Sequence, residues 1–209
     1  MIVLGTVLGL AGTDLVLPAV PGLPDSIPGT LAQSQLVLAG FTAGTALGLL
    51  IFGELGARFQ QKPLLIIALF AYGLFSLYAA QSQTILDLVG VRFVQGFFAA
   101  APAVFAPGMI RALFDERRAL RALGLTGSIE SVVPALAPVF GAWMLTFWDW
   151  RASFYLTAVL TILLSICWVF IPRLQGTSVG TMPRASYLSL MRSPVFFRYA
   201  LSQALTRGG

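Results

Sequence analysis

The 209-residue sequence has no histidine and a single cysteine, Cys167. An intrachain disulfide and a metal centre of clustered histidine and cysteine are therefore excluded, and the commonest general base is missing. No Ser/His/Asp arrangement can form, so the sequence offers no enzyme constellation and gives no sign of a cofactor. Charge is scarce as well: Asp, Glu, Lys and Arg make up 10% of the chain, against about 25% in soluble proteins. What is present is mostly apolar, with 57% hydrophobic residues and a mean hydropathy of +0.86. This balance predicts an all-α integral membrane protein surrounded by a lipid bilayer. The net charge of +5 does not indicate nucleic acid, because the basic residues lie in short segments between apolar runs. The 21 Gly and 12 Pro would suggest disorder in a polar chain. Transmembrane helices tolerate both, because neighbouring helices re-satisfy the backbone.

Six runs reach the length of about 20 apolar residues that a membrane helix needs: 2–20, 32–57, 63–80, 84–110, 122–147 and 152–171. The first lacks a basic n-region and a clear cleavage site, and reads as a membrane helix rather than a signal peptide. Pro18, Pro21, Pro24 and Pro28 close it, and Pro102 and Pro107 are expected to interrupt the fourth. Basic residues gather between runs two and three (Arg58, Lys62), between four and five (Arg111, Arg117, Arg118, Arg121) and after six (Arg173, Arg184, Arg192, Arg198). The opposite connections carry Asp25, Asp87, Asp149 and one basic residue, Arg151. By the positive-inside rule the N-terminus is cytoplasmic and the sixth crossing returns the chain there. Residues 1–172 thus form a six-helix bundle and 173–193 a polar, basic cytoplasmic connector. Residues 194–209 open a seventh apolar run too short to span, as if the chain were cut there.

Arg92 stands inside the fourth run, where a charge costs about 2.5–3.5 kcal/mol on insertion scales. It needs a partner, a solvated cavity or a route to the interface. At 1.5 Å rise per residue, Arg92 and Asp14 lie roughly 12 and 15 Å below the outer surface and Glu130 roughly 13 Å above the inner one. All three fall in a band near the middle. This reads as a polar centre in a solvated cavity, in which Asp14 or Glu130 carries a proton or meets a cationic substrate and Arg92 partners a carboxylate. The competing reading is a structural ion pair locking helices together. Gln95 shares a face with Arg92 and either extends the site or bonds a neighbouring helix. Gly40, Gly44 and Gly48 form a packing groove, and Pro134 and Pro138 mark a kink or hinge after Glu130. Phe97, Phe98, Phe105, Phe140 and Trp143 line an aromatic cavity or simply pack. Glu54 and Arg58 stand i, i+4 and pair if that segment is helical.

Several stretches together resemble the N-terminal half of a major facilitator superfamily transporter, of the drug:proton antiporter branch of bicyclomycin/chloramphenicol-resistance type. Gly53-x-Leu-x-Ala-Arg-x-Gln-Gln-Lys-Pro resembles that family's loop motif between helices two and three, G-x-L-a-D-R-x-G-R-K, and includes Gly53, Glu54, Arg58 and Lys62. Arg92-x-x-Gln-Gly-x-x-Ala-Ala resembles its helix-four motif. Gly124 with Pro134 and Ala137-Pro138-x-x-Gly141-Ala142 resembles the helix-five antiporter motif. Gly12-x-Asp14-x-x-x-Pro18-x-x-Pro21 resembles the helix-one motif, and Trp150-Arg151-x-x-Phe154 stands where the branch often has W-R-x-x-F. There are departures: the loop aspartate is Ala57, its second glycine is Gln60, and two helix-five glycines are Val133 and Ala137. The resemblance implies a fold of two six-helix bundles with substrate between them, this chain being the first. The expected activity is proton-coupled export of small amphipathic or cationic compounds across a bacterial inner membrane, with Arg92 and Asp14 as functional residues. The expected partners are substrate, protons and the C-terminal half. An importer of a sugar or organic acid, or a non-transporting six-helix scaffold, remains the alternative.

Overall fold

The computed structural model describes residues 1–171; the expected connector (173–193) and seventh helix (194–209) lie outside the described residues. Those residues form helices α1 (Ile2–Asp14), α2 (Leu23–Ser26), α3 (Leu31–Arg58), α4 (Gln61–Ala80), α5 (Ile85–Leu113), α6 (Glu116–Leu145) and α7 (Arg151–Phe170), with a 3-10 segment at Leu17–Gly22. Six stretches are long and apolar enough to cross a membrane, the first being Ile2–Ser26. The bounds differ from the sequence reading in physically simple ways. The first span runs past Pro18 and Pro21 by changing from α to 3-10 geometry. Helix α5 runs unbroken through Pro102 and Pro107, correcting the expected interruption. Helix α6 begins at Glu116, within the charged turn.

Local chemistry sets the starts. Thr30 and Gln33 form a reciprocal capping box at α3, and the Thr84 hydroxyl accepts from the Asp87 N–H at α5, satisfying amides that no helical carbonyl can reach. The Ile85 N–H donates to the Pro28 carbonyl at 3.0 Å, tying the start of α5 to the connection before α3.

Helices α3 and α5 run side by side, and α4 packs against α5 and α7. The first pair touch backbone to backbone. A Cβ on Gly40 would lie 3.0 Å from the Val89 carbonyl oxygen, and a Cβ on Gly44 or Gly48 would overlap the carbonyl of Phe93 or Phe97. From the other side, a Cβ on Gly96 would overlap the Phe41 carbonyl. The glycine groove is therefore a packing device, as small residues are in membrane helices. Gly44→Leu is expected to force the helices apart and cost at least about 1–3 kcal/mol, seen as a lower unfolding temperature in detergent.

Two apolar clusters occupy the two ends of the bundle. One joins Val16, Leu23, Val37, Ile85, Leu88, Trp150 and Phe154, and the other Leu8, Phe52, Leu69, Phe105, Met109 and Trp168. Phe97 and Phe98 pack around Phe52 with ring centroids 5.1 and 6.4 Å away, so these rings belong to packing. Phe140 and Trp143 stack on each other at 5.5 Å on the exposed side of α6.

Candidate functional site

Between the two clusters lies a polar centre built around Arg92, which has no exposed surface. Its anchor on α1 follows from the helix geometry. Near Pro18 the chain leaves α geometry, and the Val16 N–H donates to the Thr13 carbonyl at 3.2 Å rather than to Gly12. The Gly12 carbonyl is thereby freed, and Arg92 Nη1 donates to it at 2.9 Å. The same nitrogen donates to Gln95 Oε1 at 2.7 Å. Gln95 Nε2 in turn donates to Ser76 Oγ at 2.6 Å, and Ser76 donates to the Tyr72 carbonyl at 2.7 Å. The rings of Phe41 and Phe154 flank the guanidinium, with centroids 4.2 and 5.6 Å from its carbon, a favourable placement for a desolvated cation.

Neither expected carboxylate pairs with Arg92. The ion pairs among the described residues are Glu54–Arg58, Asp115–Arg118 and Asp149–Arg151. The side chain of Asp14, two residues beyond the carbonyl that Arg92 holds, is partly exposed and forms no hydrogen bond or ion pair among the described residues. Glu130 is partly exposed on α6 and forms no ion pair among the described residues. The centre is thus a buried cation with a spare edge: Arg92 Nε and Nη2 have no acceptor among the described residues. Arg92 is sealed by its neighbours rather than open to a recess among the described residues. Surface recesses lie elsewhere, one of about 410 Å³ at Arg111, Phe114 and Leu123 and one of about 380 Å³ at Tyr78, Gln81 and Asp87.

The other sequence candidates fall in three places. Gly141 lets α6 close on α1 beside Asp14, because a Cβ there would overlap the Leu15 carbonyl. Val133 and Ala137 continue that face against Ala11 and Leu15, so the residues that replace glycines pack directly on α1. Gly124 has open space where a Cβ would stand, and Pro134 is exposed. Pro138 is partly buried; neither proline breaks α6. At the basic end, Gly53 is half-buried, and Arg58 Nε donates to Glu54 Oε1 at 2.6 Å. The Lys62 ammonium donates to the Ile171 carbonyl past the end of α7, where a cation also suits the helix dipole. The Glu54–Arg58 pair is largely exposed. Glu54→Gln is therefore expected to change stability by less than about 1 kcal/mol, measured by thermal unfolding.

Tyr72 and Ser76 are site residues that the sequence reading missed. Their signal was present: two polar groups one turn apart in an otherwise apolar run. A second missed stripe is Ser153, Thr157, Thr161 and Ser165, all buried on α7. Thr157 and Thr161 bond back along α7, and Ser165 donates to the Ile66 carbonyl of α4 at 3.0 Å.

Six apolar spans around a buried, incompletely satisfied cation define a polytopic integral membrane protein. Comparison of the sequence with known families is specific: the chain belongs to the Major Facilitator Superfamily, whose family profile matches residues 2–207. It is 32% identical over 217 residues to a Bacillus subtilis (strain 168) protein named uncharacterized MFS-type transporter YdgK, covering 97% of this chain and 52% of the relative. It is 28% identical to the Haemophilus influenzae bicyclomycin resistance protein homolog, covering 77% of this chain and 40% of the relative. It is 29% identical to a Pseudomonas aeruginosa chloramphenicol resistance protein, covering 94% and 48%. The chain spans about half the length of these curated relatives.

Proposed function

We propose that this chain is the N-terminal bundle of a secondary transporter that expels small amphipathic or cationic compounds in exchange for protons. It would sit in a bacterial inner membrane with its N-terminus in the cytoplasm, and would act together with a C-terminal six-helix half. The observation that carries the reading is that a sealed, unneutralised Arg92 anchors the turn of α1 that carries a partly exposed Asp14 with no partner among the described residues. Ionisable groups at membrane depth are functional sites by default, and an unpaired, partly exposed carboxyl is a group that can take up and release a proton. Two relatives named for bicyclomycin and chloramphenicol resistance support export of drug-like compounds. The basic residues at one end of the bundle support the orientation.

The free guanidinium edge also supports a second reading, in which a metabolite carboxylate binds Arg92 and the complete protein imports an organic acid. Inverted membrane vesicles containing the complete protein separate the two. Export predicts that an acid-inside gradient drives accumulation of a lipophilic cation and that a protonophore abolishes it. Accumulation indifferent to the gradient contradicts proton coupling, and gradient-driven extrusion of a carboxylate from the same vesicles favours import.

A further inference from the structure

The bonds at Arg92 close on themselves through Tyr72, a residue to which the transport reading gives no part. From the Gly12 carbonyl they pass through Arg92, Gln95 and Ser76 to the Tyr72 backbone on α4. The Tyr72 hydroxyl then donates to the Leu8 carbonyl at 3.2 Å, one turn before Gly12 on α1. The circuit has a single sense. A guanidinium only donates, so Gln95 turns Oε1 toward it and donates with Nε2, and Ser76 accepts from Gln95 and donates onward. Tyr72 is fully buried and fits because Gly12 has no side chain: a Cβ there would overlap the hydroxyl. Arg92 and Tyr72 therefore grip α1 from two helices, within one turn, at the point where its α geometry ends. Asp14 lies two residues further along.

An aromatic ring that only fills space would need neither the notch nor the bond. We propose that Tyr72 is a positioning residue for the α1 turn that Arg92 anchors and that carries Asp14. Its hydroxyl, wedged at Gly12, keeps the loosened turn of α1 on Arg92, and Asp14 shifts relative to Arg92 only when that wedge withdraws. Apart from Tyr72 itself, this part of α1 carries Asp14 and meets Arg92 of α5, while α6 packs on it through Val133, Ala137 and Gly141 and carries Glu130 one turn before Val133. The neighbouring α3 and α7 present the rings of Phe41 and Phe154.

The proposal rests on the transport reading above, and the test separates the two. Tyr72→Phe keeps the ring and removes the wedge. In the complete protein it is expected to lower the maximal transport rate about fivefold, the rate equivalent of one ordinary hydrogen bond, with the half-saturating substrate concentration unchanged. Gly12→Ala is expected to lose both rate and melting temperature. Gly12→Ala with Tyr72→Phe is expected to regain much of both, because the overlap with the hydroxyl is gone and the added methyl meets the ring carbon of residue 72 at 3.2 Å and Phe41 Cζ at 3.6 Å. A Tyr72→Phe protein with wild-type rate overturns the positioning role, as does a double variant whose losses simply add. If the wild-type protein moves no substrate, the transport reading fails and the positioning role falls with it.

Discussion

Asp14→Asn in the complete protein is expected to fold normally and to lose proton-driven efflux. The Asp14 side chain is partly exposed and has no hydrogen-bond or ion-pair partner among the described residues. Removing its charge therefore strands no buried group, and stability should stay within about 0.5 kcal/mol of wild type. Transport should fall at least about tenfold, the loss that follows from removing an interaction worth some 1.4 kcal/mol, because asparagine has the shape of the carboxyl but cannot exchange a proton. Substrate binding, read by Trp fluorescence in detergent, should persist. Efflux at the wild-type rate would remove Asp14 from the coupling role.

Much of this was legible in the sequence, and what was not has a common physical cause. Apolar run length located the six spans because a bilayer demands it. The glycines on α3 announced a close helix contact, and the structure supplies the α5 carbonyls they meet. Arg92 announced itself as a lone charge in an apolar run, and its i, i+3 neighbour Gln95 is indeed bonded to it. The partner of Arg92 was misjudged because depth along a helix says nothing about rotation around it. Asp14 lies at a suitable depth, yet the acceptor is the backbone of Gly12, exposed by a change in helix geometry that side-chain patterns do not encode. The prolines were misleading for a related reason. Pro102 lies inside a continuous helix packed on its neighbours, where tertiary contacts hold a backbone that has lost a bond. Tyr72 and Ser76 were passed over because aromatic and hydroxyl side chains are ordinary in membrane helices.

The arrangement also explains why an isolated cation is tolerated. One guanidinium nitrogen is fully used and two ring faces screen the group, while the remaining edge stays unpaired. A neighbouring carboxylate would relieve that cost, since pairing offsets the desolvation of a buried charge. Among the described residues no carboxylate does so, and the charge of Arg92 stays unneutralised.

Gln95→Glu tests this account most directly, because it keeps the hydrogen-bond geometry and cancels the charge. The new carboxylate can accept from Arg92 where the amide oxygen did, and Ser76 can turn its hydroxyl to donate. If Arg92 serves only to hold helices together, the variant should be at least as stable as wild type and transport unchanged. If its free charge acts on Asp14, melting should be unchanged or higher. Transport should then fall at least about tenfold, the equivalent of about 1.4 kcal/mol, because the neutral pair withholds that charge. The account predicts that a stable, inactive protein will be found when melting temperature and proton-driven efflux are measured on the same preparation. A stable protein with wild-type efflux would contradict it.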